Sequence, residues 1–189
     1  DELGRPLPDA VNEVRAAARQ FKYYAEEAVR MRGAIAQSDI ADEEVLLLNR
    51  PIGVVLVVSP WNNPLFLLSR FAAPALATGC PVIGKPSSEG PLSTLLLTEA
   101  MHAAGLPAGV LNAVTGRGEA VARSLLAHPA VRKACLTGGV AAGRALMTAA
   151  AEQLKTTALE LGGQCPAIVC EDARLPTAAE AIAFQAFRQ

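Results

Sequence analysis

From Pro51 onward the chain alternates short, unbroken apolar runs with Ala- and Leu-rich stretches, and that alternation constrains the fold more than any other feature. "GVVLVVSP", "PVIGKPS", "GVLNAVTG" and "RKACLTG" have strand length and strand composition. Between them lie "PLSTLLLTEAMHAAGLP", residues 119–128 and "VAAGRALMTAAAEQLK", which read as helices. A strand with one wet face alternates polar and apolar residues, and Val54–Val58 does not, so both of its faces must be covered. Strands of that kind separated by helices predict an α/β fold, a parallel sheet with helices on both faces. The strand ends carry Ser-Pro, Lys-Pro-Ser, Thr-Gly-Arg-Gly and Thr-Gly-Gly, and ligands of open α/β sheets bind at such carboxyl ends.

Ahead of this region, "DAVNEVRAAARQFKYYAEEAVRM" spaces Val11, Val14, Ala18, Phe21, Ala25 and Val29 at three- and four-residue steps. An amphipathic helix follows, with Asp9 as N-cap, Gly33 as stop and those six residues on the buried face. Lys and Arg number 17 against 18 Asp and Glu, a net charge of −1 with no basic stripe, so nucleic acid is not an expected partner. No apolar run is long enough to cross a bilayer, and "DELGRPLPD" does not read as a signal peptide. The cysteines, Cys80, Cys135, Cys165 and Cys170, form no CxxC pair, and neither His102 nor His128 stands at metal-ligand spacing from them. No metal is expected. Each lies in or beside an apolar run, which suits reduced, buried thiols in a cytoplasmic protein.

Several residues carry possible chemistry. Gly116-Arg117-Gly118 lacks the third glycine of a dinucleotide fingerprint, and alone it reads as a turn. Thr137-Gly138-Gly139 through Gly143 opens a helix after a strand, where free N–H groups favour a pyrophosphate. Lys85, followed by Ser87 and Ser88, falls at a strand end where a ribose or phosphate would accept its hydrogen bonds, although most such lysines are solvated loop charges. Asn62 in "SPWNNP" offers an amide to a developing oxyanion, while composition alone favours turn chemistry. Glu160 sits between Leu159 and Leu161. Buried, it would lose hydration, rise in pKa and become a general base; facing solvent, it would be an ordinary strand residue.

Taken in order, "PIGVVLVVSPWNNPL", "APALATGCPVIGKPSS", "AGLPAGVLNAVTGRG", "HPAVRKACLTGGVAAGR" and "LKTTALELGGQCPAIV" resemble the aldehyde dehydrogenase superfamily from residue 51 to about residue 175. The resemblance implies a Rossmann-like sheet and NAD(P)-dependent oxidation of an aldehyde to a carboxylic acid through a thioester on a cysteine. Glu160 matches the water-activating glutamate, and Asn62 the oxyanion asparagine. Lys85 matches the ribose-binding lysine, with Ser87 and Ser88 beside it. Gly118, Thr137, Gly138, Gly139 and Gly143 match segments around the adenine and pyrophosphate, and Leu161-Gly162 lies near the nicotinamide. Val58, Ser59, Pro60 and Trp61 contact the cofactor, NAD or NADP, mainly through backbone.

The nucleophile does not match Cys165, which is expected to be a packed, inert thiol past a seam at Gly162-Gly163. The family's thiol lies in a Gly-Gln-x-Cys segment, expected beyond Gln189. Residues 1–162 are therefore expected to form an NAD(P)-binding domain, and 163–189 to begin a truncated catalytic domain with "AIVC" as a strand. The chain is expected to be a portion of a longer homo-oligomeric enzyme, inactive alone. Departures from the family pattern are Asn63 for an aromatic, Phe71 for a lysine with Arg70 beside it, Ser88 for an acid, Gly139 for a serine and Gln164 for a lysine. The absent acid at Ser88 favours tolerance of a 2′-phosphate. The alternatives are a non-catalytic nucleotide-binding or assembly homologue, and an acylating relative in which Glu160 would have little use.

Overall fold

The computed structural model describes residues 2–187. The chain opens with α1 (Leu7–Ala28) and a small antiparallel hairpin, β1 (Ala34–Gln37) with β2 (Glu44–Leu47). There follow β3 (Val54–Val58), α2 (Pro64–Ala77), β4 (Val82–Lys85), α3 (Leu92–Ala103), β5 (Leu111–Ala113), α4 (Gly118–Ala127), β6 (Val131–Gly138), α5 (Val140–Ala151), β7 (Thr156–Leu161) and α6 (Leu175–Phe187). The second sheet is wholly parallel, in the order β5-β4-β3-β6-β7.

The unbroken apolar run of β3 has the predicted cause. Val55 and Val57 point into one core with Leu68 and Ala72 of α2, and Leu97 of α3 packs against it. Leu56, between them, points into the opposite core with Leu126 of α4 and Leu146 of α5. Leu56, Val57, Leu68 and Leu126 are fully excluded from solvent. Each such side chain contributes about 1.5–3 kcal/mol relative to exposure. Gly79 ends α2 with φ +78, the left-handed conformation that lets the chain reverse directly into β4.

Three expectations are corrected. The helix α1 starts after Pro6 and stops at Ala28, so Asp9 lies in its first turn and Gly33 well past its end. Its buried residues are Glu13 and Ala17, with Phe21 packed on the core, whereas Val11, Val14 and Val29 are exposed. A carboxylate holds the inward position because it has backbone partners there. "AIVC" is not a strand: Ile168 and Val169 are exposed and pair with no described strand. Without a partner its backbone groups have no ladder to join. After β7 the next regular element is α6, which buries no residue.

Cys165 is likewise exposed, with φ +43, and Cys170 is exposed too; only Cys80 and Cys135 are buried. All four thiols are free. Among the described residues, no helix is long and apolar enough to cross a membrane, and no cluster could hold a metal ion.

Candidate functional site

The chain winds from β3 outward to β4 and β5, then returns across to β6 and β7. The reversal leaves a crevice between the carboxyl ends of β3 and β6, the usual ligand position in such sheets. Val58 and Ser59 end one wall, and Thr137 and Gly138 the other. Lys85 closes β4 beside them; its carbonyl accepts from Ser59 N–H at 3.1 Å.

Lys85 is 2% exposed. Its Nζ donates to the Pro86 carbonyl, and no described carboxylate pairs with it. Burial lowers its pKa from the ordinary lysine value. An ammonium has three donors, so this one retains capacity for an acceptor in the crevice. Gly118 opens α4 opposite: a Cβ there would stand 3.9 Å from Lys85 Nζ, and its absence leaves the approach open.

No described side chain caps α5. Gly143 N–H is bonded back to the Gly139 carbonyl at 3.0 Å, so the N–H groups of Val140, Ala141 and Ala142 are the unclaimed donors of the first turn. Gly139 has open space where a side chain would stand. Between α4 and α5 lies a cavity of about 350 Å³ lined by Val58, Gly118, Ala122, Leu136, Ala142 and Leu146. A largely apolar slot, with Glu119 and Arg123 also in its lining and Gly118 between it and Lys85, suits a flat heteroaromatic ring joined to phosphates. The Oγ of Ser59 and Oγ1 of Thr137 are buried without partners, leaving both hydroxyls available at the same mouth. These residues fit a dinucleotide. A second cavity, of about 340 Å³ and lined by Ile52, Val55, Phe71, Lys133 and Cys135, lies toward the amino ends of the strands, away from these groups.

Ser88 Oγ donates to the Gly116 carbonyl at 3.0 Å, tying the loop after β4 to the loop after β5. Ser87 Oγ accepts from Glu89 N–H. Gly143 differs from Gly118, Gly138 and Gly139: a Cβ there would lie 2.7 Å from Leu161 Cδ2, so it lets α5 approach β7.

Glu160 pairs in register with Thr137, and Leu161 with Gly138, so the Glu sits one strand beyond the crevice. Its side chain is 52% exposed, because β7 is an edge strand, and the burial suggested by its leucine neighbours is absent. Arg70 of α2 reaches it, Nη2 to Oε1 at 3.7 Å. Phe71, in the lysine's place, packs on the core instead. Asn62 and Trp61 follow β3, with Trp61 exposed. The Asn62 amide meets no described partner, while its carbonyl accepts from Arg5 Nη1 at 3.0 Å. Arg5 and Glu13, absent from the sequence reading, thus touch this segment, and nothing in the hydrophobic pattern marks either.

The sequence profile described as "Aldehyde dehydrogenase family" matches residues 1–189. The chain belongs to the aldehyde dehydrogenase family. Within it, the chain is 44% identical over 187 residues to the mitochondrial succinate-semialdehyde dehydrogenase of Arabidopsis thaliana, covering 99% of this chain and 35% of that protein. It is 42% identical to the succinate-semialdehyde dehydrogenase (NADP+) of Escherichia coli, covering 99% of this chain and 39% of that one. Among solved aldehyde dehydrogenase-like structures, an E. coli NADP-dependent enzyme superposes with TM-score 0.95 at 42% identity, over 99% of this chain and 39% of that one. PnpE in complex with nicotinamide adenine dinucleotide does so at 0.94 and 37%, over 99% and 38%. The chain therefore spans little more than a third of the aldehyde dehydrogenases it matches.

Proposed function

We propose that the protein containing this chain oxidises an aldehyde to a carboxylic acid with NAD or NADP, and that residues 1–162 are its cofactor-binding domain and 163–189 the start of its catalytic one. The observation that carries the cofactor reading is Lys85, a buried ammonium at the crevice with no carboxylate partner among the described residues. Lys85 holds the adenosine ribose, and the uncapped start of α5 faces the pyrophosphate. The backbone of Val58 to Trp61 and the end of β7 at Leu161-Gly162 border the nicotinamide end. The dinucleotide, when bound, supplies the hydride acceptor.

The thiol that attacks the carbonyl belongs, in this reading, to a segment outside these residues. As it adds, the carbonyl oxygen becomes an anion, and the Asn62 amide donates to it. Glu160 later takes a proton from the water that hydrolyses the thioester. Half-exposed, it is open to that water, and Arg70 at 3.7 Å restrains its swing.

The relatives named for succinate and glutarate semialdehyde support a substrate with a carboxylate distal to its aldehyde. Arg70 is the cation nearest the proposed base and suits such a group. Exposed Ile35 and Leu46 on the β1–β2 hairpin support a homo-oligomer, and four free thiols support a cytoplasmic setting. The test is full-length protein with succinate semialdehyde and either nucleotide. Reduced cofactor and succinate are expected in equal amounts; nucleotide binding with no turnover on any aldehyde would favour a non-catalytic homologue.

A further inference from the structure

Two consecutive asparagines follow Trp61, and only their surroundings differ. Part of the link between α1 and this segment gathers on one nitrogen: Arg5 Nη1, sharing its two hydrogens, donates to Glu13 Oε2 at 2.8 Å, to the Asn62 carbonyl at 3.0 Å and to Asn63 Oδ1 at 2.6 Å. The other Glu13 oxygen accepts from Leu65 N–H at 2.9 Å and Phe66 N–H at 3.2 Å. Those are first-turn donors of α2, whose N-cap Asn63 makes no side-chain cap of its own. Glu13 is 9% exposed, so it caps α2 from another element in a setting where water does not compete. Asn63 is committed to the same cluster. Asn62 is held only by its main chain, and its amide is left without a described partner.

We infer that Arg5 and Glu13 are positioning residues for the Asn62 amide: together they fix the turn between β3 and α2, so that the amide is aimed before the oxyanion forms. Preorganised donors lose effect when displaced by even an ångström, and the five-residue link from Ser59 to Asn63, between a strand and a helix, would otherwise drift at its middle. The inference rests on the reading of Asn62 as the oxyanion donor. It also explains why a carboxylate takes the buried face of α1 where the apolar pattern would place a valine.

The experiment measures the single-turnover rate of reduced-cofactor formation in the full-length enzyme. Arg5→Met and Glu13→Gln are expected to slow it about 10-fold or more while the cofactor Kd stays within about 2-fold. Arg5→Lys is expected to stay within about 3-fold of the parent, since one ammonium can serve acceptors that all meet a single nitrogen. In an Asn62→Ala background, neither Arg5→Met nor Glu13→Gln should slow the reaction further. Losses that add in full to that of Asn62→Ala would overturn the inference, as would an Arg5→Lys loss as deep as Arg5→Met. Should Glu13→Gln fail to fold, Arg5→Met, which leaves the α2 cap in place, decides the matter alone. A normal rate in Asn62→Ala would remove the oxyanion reading itself; a slow Asn62→Ala beside normal Arg5 and Glu13 variants would remove only the positioning role.

Discussion

At the residue scale, the proposed cofactor site makes Lys85 and Ser88 the residues that decide how the crevice treats a nucleotide. Buried and unpaired by any described carboxylate, Lys85 contributes a charged donor whose pKa burial lowers from 10.5. Lys85→Met is expected to weaken NAD and NADP binding about 10- to 100-fold, the equivalent of one charge-assisted hydrogen bond. Because the ammonium is the binding form, affinity in the parent should fall as pH rises, beginning below the ordinary lysine range, and Lys85→Met should abolish that dependence. Fluorescence titration across pH reads both; a pH-independent parent would contradict the assignment. Ser88 offers no charge to a 2′-phosphate, and its hydroxyl is turned to the Gly116 carbonyl. Ser88→Glu is expected to reduce affinity for NADP relative to NAD roughly 5- to 10-fold, from the ~1 kcal/mol of like charges about 4 Å apart in water. An unchanged ratio would place the 2′ position elsewhere.

At the element scale, the doubly covered sheet was legible because Val54–Val58 leaves no face for water, and the structure places a separate core on each side of it. The helix α1 was legible too, but the reading of its buried face failed for a physical reason. Periodicity counts apolar residues, and the inward residue Glu13 is there for backbone N–H groups more than fifty positions away. "AIVC" misled in the same way: apolar, β-branched composition is necessary for a buried strand, but pairing is what makes one. Gly79 ends α2, and its φ of +78 gives it a measurable weight. Gly79→Ala is expected to cost about 1–2 kcal/mol for the left-handed conformation, with a further strain because the new Cβ would lie 3.0 Å from Pro51 Cγ. A denaturant midpoint equal to that of the parent would contradict this.

At the scale of the whole molecule, one end of one sheet gathers groups that are far apart in sequence. Lys85 closes β4, Gly118 opens α4, Gly139 precedes α5 and Glu160 stands near the end of β7, so the parallel sheet brings all four to its carboxyl edge, Glu160 one strand beyond the β3/β6 crevice. Their types and order were visible in the residues. What composition left open, turn chemistry for Asn62 and solvent for Glu160, concerned side-chain surroundings, which depend on contacts between distant segments. Arg70 against Glu160 and Arg5 beneath Asn62 are two such contacts. The measurement that bears most directly on the account is pre-steady-state kinetics of Glu160→Gln in the full-length enzyme. An intact burst of reduced cofactor followed by slow steady turnover is expected, since hydride transfer precedes the step that needs the base. Loss of the burst with normal cofactor binding would contradict it.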